Sequence, residues 1–260
     1  MTPPRVVLVR PKYGGNVGST ARAMANFGLT DLRVVRGTEP YDAREAHNMA
    51  SGARELLGAA TWVDSIEEAV AGTTIVVACT ARPRRWKTWD VLDPRPACEL
   101  LAARTAEDEQ TALLFGPEDH GLAQEDLAWA THLCSIPTAG PHSSLNLAQA
   151  VLLLGWEWAQ AGAAPKRRPS PRGGRSKRAT IDQLNRAVEQ TGDLLESIEF
   201  FRRRARPQTM AMLRHALVDT DIRERDVQFL RGVINKLQWW VAHGPRSADS
   251  DSGDASPPEE

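Results

Sequence analysis

Over the first 160 residues, apolar runs of strand length alternate with amphipathic stretches of helical period. Residues 31–36 read as a strand through Leu32, Val34 and Val35, and residues 5–10 and 74–79 are short, rich in Val and Ile and nearly continuous in apolar character. That is the pattern of strands buried on both faces, and residues 111–115 and 133–136 repeat it, with a shorter strand at 61–63. Helical patterns fall between them. The first starts at Asn16 or Ser19, either of which can cap it, and carries Ala21, Met24, Ala25 and Leu29 as its stripe up to Gly28. Others cover residues 43–50, 64–71, 96–104, 124–130 and 145–161. This alternation predicts an α/β fold, a doubly wound and mostly parallel sheet whose ligand sites lie beyond the carboxyl ends of the strands.

The pattern changes after residue 162. Residues 163–179 form a basic linker in which Lys166, Arg167, Arg168, Arg172, Arg175, Lys177 and Arg178 stand among Pro, Gly and Ser with no acid. Residues 180–243 then read as a small all-α module. Thr180 caps a helix to about 198, Pro207 starts a second, and Asp221 starts a third with Val227, Leu230, Ile234, Leu237 and Val241 on one stripe. Residues 244–260 form a tail, expected to be disordered, in which Asp249, Asp251, Asp254, Glu259 and Glu260 are unopposed from Ser247 onward. The formal charge of -1 therefore hides a net basic remainder. A cationic linker and the cluster Arg202-Arg203-Arg204-Ala205-Arg206 suit a polyanion, although a solubilising linker and a helical dimerisation unit fit the same composition.

Composition narrows the class further. With 260 residues and 42% apolar content the chain can bury a sizeable core. Cys79, Cys98 and Cys134 lack any CxxC spacing and sit in apolar surroundings, so they read as reduced core thiols, neither a disulfide framework nor a metal site. No apolar run reaches the roughly 20 residues of a membrane span, and no leader pattern opens the sequence. A cytoplasmic protein without membrane attachment is expected.

The chemistry concentrates at strand ends. The apolar run at 113–115 enters the turn Gly116-Pro117-Glu118-Asp119-His120-Gly121, where Gly116 would let a ligand approach the backbone and Gly121 suits a tight turn, with Glu118 at its mouth. Asn16-Val17-Gly18-Ser19-Thr20-Ala21-Arg22 follows the first strand, and Ser143-Ser144-Leu145-Asn146-Leu147-Ala148 follows Ile136-Pro137. Neither GxxxxGK[ST] nor GxGxxG is present, which removes a Walker-type phosphate site and an ordinary dinucleotide site. Loops rich in Gly, Ser, Asn and backbone donors suit an adenosyl or ribose ligand. The segment Pro83-Arg84-Arg85-Trp86-Lys87-Thr88-Trp89 alternates cations with indoles, as phosphate contact with base stacking requires; a core-rim Trp pair with exposed arginines has the same pattern.

Together the motifs Asn16-x-Gly18-Ser19-x-Ala21-Arg22, Phe115-Gly116-x-Glu118-x-x-Gly121-Leu122, and Ile136-Pro137 with Ser144-Leu145-Asn146-Leu147-Ala148-x-Ala150 resemble the three signatures of the SpoU-type RNA ribose 2'-O-methyltransferases, of the SPOUT superfamily. The helical module behind a basic linker is similar to the TrmJ subfamily, the tRNA (cytidine/uridine-32-2'-O)-methyltransferases of the anticodon loop. The resemblance implies a SPOUT methyltransferase domain over residues 1–162 with a C-terminal trefoil knot, an obligate homodimer, and S-adenosyl-L-methionine as cofactor. It implies a cofactor pocket of Cys79, Thr80, Ala81, Gly116, Ile136, Ser143, Ser144 and Leu145, and tRNA as partner through a helical RNA-binding module. Arg22 would contact the acceptor ribose or its phosphate by charge stabilisation or positioning, Glu118 and Asn146 would hold the knot loops and ribose, and Ser144 would orient the acceptor, without a metal. His142 and Cys79 depart from the subfamily's usual residues; RNA discrimination is expected at Lys12-Tyr13-Gly14 and residues 82–89. A ribosomal RNA or another tRNA position as substrate, a non-catalytic RNA-binding protein, and a small-molecule enzyme are the competing readings.

Overall fold

The computed structural model describes residues 2–38, 41–81, 91–139, 144–163, 177–203, 206–220 and 222–243. Seven strands, β1 (Arg5–Val9), β2 (Leu32–Val35), β3 (Thr61–Val63), β4 (Ile75–Cys79), β5 (Val91–Leu92), β6 (Thr111–Phe115) and β7 (His132–Cys134), form one sheet in the order β3-β2-β1-β6-β4-β7-β5. Every pairing is parallel; Val6 lies between Leu32 and Leu113, and Val77 between Leu113 and His132. β1 and β6 are buried at every position, as unalternating apolar runs require when both sheet faces are covered.

The helices are α1 (Gly14–Asn26), α2 (Ala43–Met49), α3 (Arg54–Gly58), α4 (Ile66–Val70), α5 (Pro94–Thr105), α6 (Gln124–Leu127), α7 (Leu147–Ala163), α8 (Ile181–Ser197), α9 (Arg206–Asp219) and α10 (Glu224–His243). Side chains of one parity (Val6, Leu8, Val77, Leu113) pack with α1, α5 and α7 through Met24, Leu101 and Leu154. Those of the other parity (Val7, Val76, Leu114) pack with Ala69, Leu127 and Ile181. Fully buried side chains such as Leu8, Leu113 and Leu114 each contribute about 1.5–3 kcal/mol.

Several boundaries differ from the sequence reading. α1 begins at Gly14 and is capped by neither Asn16 nor Ser19, because its N-cap is Tyr13. Gly14 and Gly18 instead face α2 at contact distance: a Cβ on Gly14 would fall 2.0 Å from the Asp42 carbonyl oxygen, and one on Gly18 would fall 2.0 Å from that of Ala46. α5 starts at Pro94 behind Asp93, and α6 stops at Leu127, where Asp126 is buried and takes both Arg10 Nη2 contacts at 2.6 Å. α3 and the two-residue β5 add to the expected set.

The helical module docks on the amino ends of the central strands, opposite the loops that carry the motifs. Ile181 N–H donates to the Thr73 carbonyl at 2.8 Å, Gly72 N–H to Asp182 at 3.2 Å, and Arg178 meets Glu109 at 2.8 Å. Arg214 is buried on α9, donates to the Ala130 carbonyl at 2.6 Å and to Asn185 at 2.9 Å, and has no acid beside it in these contacts. Burial pushes its pKa down to about 10, so it stays a cation at neutral pH. Only Val227 and Ile234 of the expected α10 stripe are buried, while Leu237 and Val241 are exposed. Of the arginine cluster, Arg206 is ion-paired with Asp193 and Glu196, while the side chains of 202–205, like residues 164–176 of the linker and the whole tail, lie outside the described residues.

Candidate active site

Three loops leaving the carboxyl ends of β4, β6 and β7 converge with the start of α7 around one cavity. Its wall contains Cys79, Thr80 and Ala81 from the first, Gly116 to Leu122 from the second, Ile136 from the third, and Ser144, Leu145, Leu147 and Ala150 beside α7. Every pocket residue expected from sequence is here except Ser143, which lies outside the described residues, as do His142 and the segment 82–90. The role foreseen for Gly116 needs correction. The space beyond its Cα is filled by the returning turn, since a Cβ there would fall 2.4 Å from Leu122 N and 2.5 Å from Gly121 C, so the missing side chain makes room for that turn while the Gly116 backbone still lines the cavity. Gly121 has φ +71° and its N–H donates to the Pro117 carbonyl at 2.9 Å, as a tight turn requires.

A second, outer cavity abuts the first and shares Glu118, Ser144 and Leu145 with it; Tyr13, Gly15, Asn16, Ser19, Glu45, Met49 and Asn146 complete its rim. A hydrogen-bond relay runs along the seam. Glu118 Oε2 accepts from Lys12 N–H at 2.9 Å and Oε1 from Asn16 Nδ2 at 2.6 Å. Asn16 Oδ1 in turn accepts from Asn146 Nδ2 at 2.8 Å, and Asn146 Oδ1 accepts from Ala148 N–H at 2.9 Å, capping α7. One carboxylate and two amides thereby tie α1, the β6 turn and α7 together. Asn16, read from sequence as a helix cap, spends its side chain on this cross-chain contact.

The thiols stand aside from chemistry. Cys79 and Cys134 are register partners on β4 and β7, and burial pushes the Cys79 and Cys98 thiols up to about 12 and the Cys134 thiol up as well. They are protonated at neutral pH and serve as packing. Among the described residues no group of three or more His, Cys, Asp or Glu is placed to hold a metal ion, and no helix is long and apolar enough to cross a membrane.

Arg22 is the expected site residue that neither cavity contains. It follows Gly15 and Ser19 at helical spacing on α1, so it shares their face, but its side chain is exposed and hydrogen-bonds to no described residue. Tyr13 on the rim belongs to the Lys12-Tyr13-Gly14 segment where RNA discrimination is expected, whereas Glu45 and Met49 are rim residues that the sequence reading did not single out. Only the Glu45 position, three after Asp42 at a helix start, stands out in sequence, and it reads as an ordinary capping pattern.

A parallel sheet with this convergence of loops defines the class, and the sequence model of the SpoU rRNA Methylase family matches residues 3–156; the chain belongs to that family. Within it, the chain is 34% identical to the tRNA (cytidine/uridine-2'-O-)-methyltransferase TrmJ of Yersinia enterocolitica over 255 residues, 94% of this chain and 95% of that protein. It is 32% identical to TrmJ of Photorhabdus laumondii, over 91% of this chain and 97% of the relative. The crystal structure of TrmJ from Z. mobilis ZM4 superposes with a TM-score of 0.75 at 33% identity, covering 91% of this chain and 99% of that one.

Proposed function

We propose that this chain transfers a methyl group from S-adenosylmethionine to the ribose 2'-hydroxyl of a cytidine or uridine in tRNA, at position 32 of the anticodon loop. The observation that carries the reading is the relay from Glu118 through Asn16 to Asn146, which joins all three motif loops at the seam between two cavities. Its match in sequence and fold to tRNA methyltransferases over nine-tenths of the chain supports tRNA as the RNA.

The inner cavity fits an adenosyl ligand. Its lining combines the backbone of the Thr80-Ala81 and Gly116–Gly121 loops with apolar Leu122, Ile136, Leu145 and Ala150, and among the described residues it contains no lysine or arginine of the kind that a phosphate would require. Thr80, Ala81, Gly116, Ile136, Ser144 and Leu145 would hold the group, whose sulfonium supplies an already activated methyl. The chain's own task is alignment. Glu118 and Asn146 hold the loops that shape the seam, and Ser144, shared by both cavities, orients the acceptor hydroxyl. Arg22 approaches the RNA from outside, where its guanidinium offers a planar fork of N–H donors to the ribose or its phosphate. The exposed apolar residues Leu152, Leu153 and Trp156 of α7 support a homodimer, and the basic linker with the helical module supports added grip on RNA.

Incubation of the full chain with labelled S-adenosylmethionine and tRNA transcripts is expected to place label on one ribose 2'-oxygen. Label on a base, or none, contradicts the reading. With the Arg22→Ala variant, kcat/KM is expected to fall about ten- to a hundredfold, as for loss of one charged hydrogen bond, while the Kd of the cofactor stays within about twofold. A parallel loss of cofactor affinity would make the residue structural.

A further inference from the structure

The two cavities meet at Glu118, Ser144 and Leu145, so an acceptor ribose placed at that seam leaves its base in the outer cavity. What lines that cavity is suited to a base. The Tyr13 ring is 52% exposed with Lys12 Nζ 5.9 Å from its centroid, and the Met49 thioether, 49% exposed, lies on the same rim. An aromatic face beside a cation is the usual platform for an unstacked nucleobase.

Glu45 supplies the polar group. Its backbone N–H donates to Asp42 Oδ1 at 3.0 Å, which puts it at the third position of α2, where a glutamate ordinarily reaches back to the N-cap amide. Here the carboxylate turns the other way and lies over Gly15: a Cβ on Gly15 would fall 2.7 Å from Glu45 Oε1. It receives no hydrogen bond and no ion pair from any described residue, whereas both oxygens of its neighbour Glu118 are taken. Favourable charge at a helix start would account for an acid at this position but not for its placement across a glycine at the cavity wall. An acceptor-only group beside a stacking ring matches the exocyclic amine of cytosine, the base edge that glutamate reads.

We propose that the outer cavity is a nucleobase subsite in which Tyr13 stacks on the base of the acceptor nucleotide and Glu45 accepts a hydrogen bond from cytidine N4. This rests on the methyltransferase reading above and assigns base choice to residues outside its three motifs.

The test uses the full chain and, once the methylated ribose has been mapped, two transcripts that differ there only in carrying cytidine or pyrimidin-2-one riboside, which lacks the N4 amine. Loss of the amine is expected to lower the wild-type kcat/KM about tenfold, the lower range of one base-edge contact. Glu45→Ala should lose about tenfold on cytidine and treat the two transcripts within about twofold of each other, while Glu45→Gln, which keeps an acceptor oxygen, should still discriminate. Equal wild-type rates on both transcripts, rejection of cytidine at that position, or unchanged discrimination by Glu45→Ala would each overturn the subsite. The wild-type pair decides even where the alanine variant folds poorly. Methyl transfer to neither transcript nor to tRNA would instead overturn the functional reading on which the subsite rests.

Discussion

Glu118→Gln is expected to lower methyl transfer about a hundred- to a thousandfold, although the substitution removes no heavy atom from the seam. The carboxylate accepts two hydrogen bonds, from the Lys12 amide and from Asn16 Nδ2, and both partners are donors. A carboxamide offers one acceptor oxygen, so its NH2 must confront one of those donors. Turning Asn16 over to accept from it would present the Asn16 NH2 to Asn146 Nδ2, and turning Asn146 in response would withdraw the Oδ1 that caps Ala148. Each escape moves the fault one residue along the relay. Loss of one charge-assisted bond at about 1.5–3 kcal/mol, with about 1–3 kcal/mol more for the donor left facing the new NH2, gives roughly 3–4 kcal/mol, which converts to the stated factor in rate. Single-turnover methylation of tRNA measures it; a rate within about threefold of wild type would mean that the relay does not organise the site.

The second large effect falls on stability. Gly18→Ala should lower unfolding free energy by about 3 kcal/mol and the melting temperature by roughly 10 °C, because the new methyl would sit 2.0 Å from the Ala46 carbonyl oxygen and 2.8 Å from its carbon. Backbone cannot yield as a flexible side chain does, so α1 must lift from α2, carrying Asn16 away from Glu118. Gly58→Ala is the matched control. Nothing stands within 4 Å of its Cβ position and no positive φ is required there, so its melting temperature should stay within about 2 °C of wild type. Equal thermal shifts in the two variants would remove the close-packing explanation of the α1 glycines.

These glycines show where sequence reading loses hold. Gly14 and Gly15 read as loop because glycine weakens helices in general, yet here their missing side chains let two helices touch, a condition set by residues 42–46. Strands β1, β4 and β6 were legible because burial on both faces makes the whole run apolar. β5 was not, since the two residues Val91 and Leu92 carry no period. Asp126 of α6, an ordinary helix-surface residue by pattern, is held inside by Arg10 from the end of β1, a pairing that the local sequence does not announce.

The site divides in the same way. Motif order placed the residues from Cys79 to Leu145 around one ligand, and the inner cavity brings the described ones together. The partner of Asn16 could not be read locally, because an asparagine near a helix start is explained well enough as a cap and Glu118 is 102 residues away. Glu45 was hidden by an equally ordinary local explanation. Long-range pairing, rather than any missing motif, is what the sequence withheld. The module shows the same limit: its helices were legible, but its seat at the amino ends of β4, β6 and β7 depends on contacts such as Arg214 with Ala130.

The central claim is that the β4, β6 and β7 loops with the start of α7 form a cofactor site, and titration calorimetry of the full chain with S-adenosylmethionine or its demethylated product tests it most directly. Saturable heat with one site per chain is the predicted result. No heat with either ligand would contradict it.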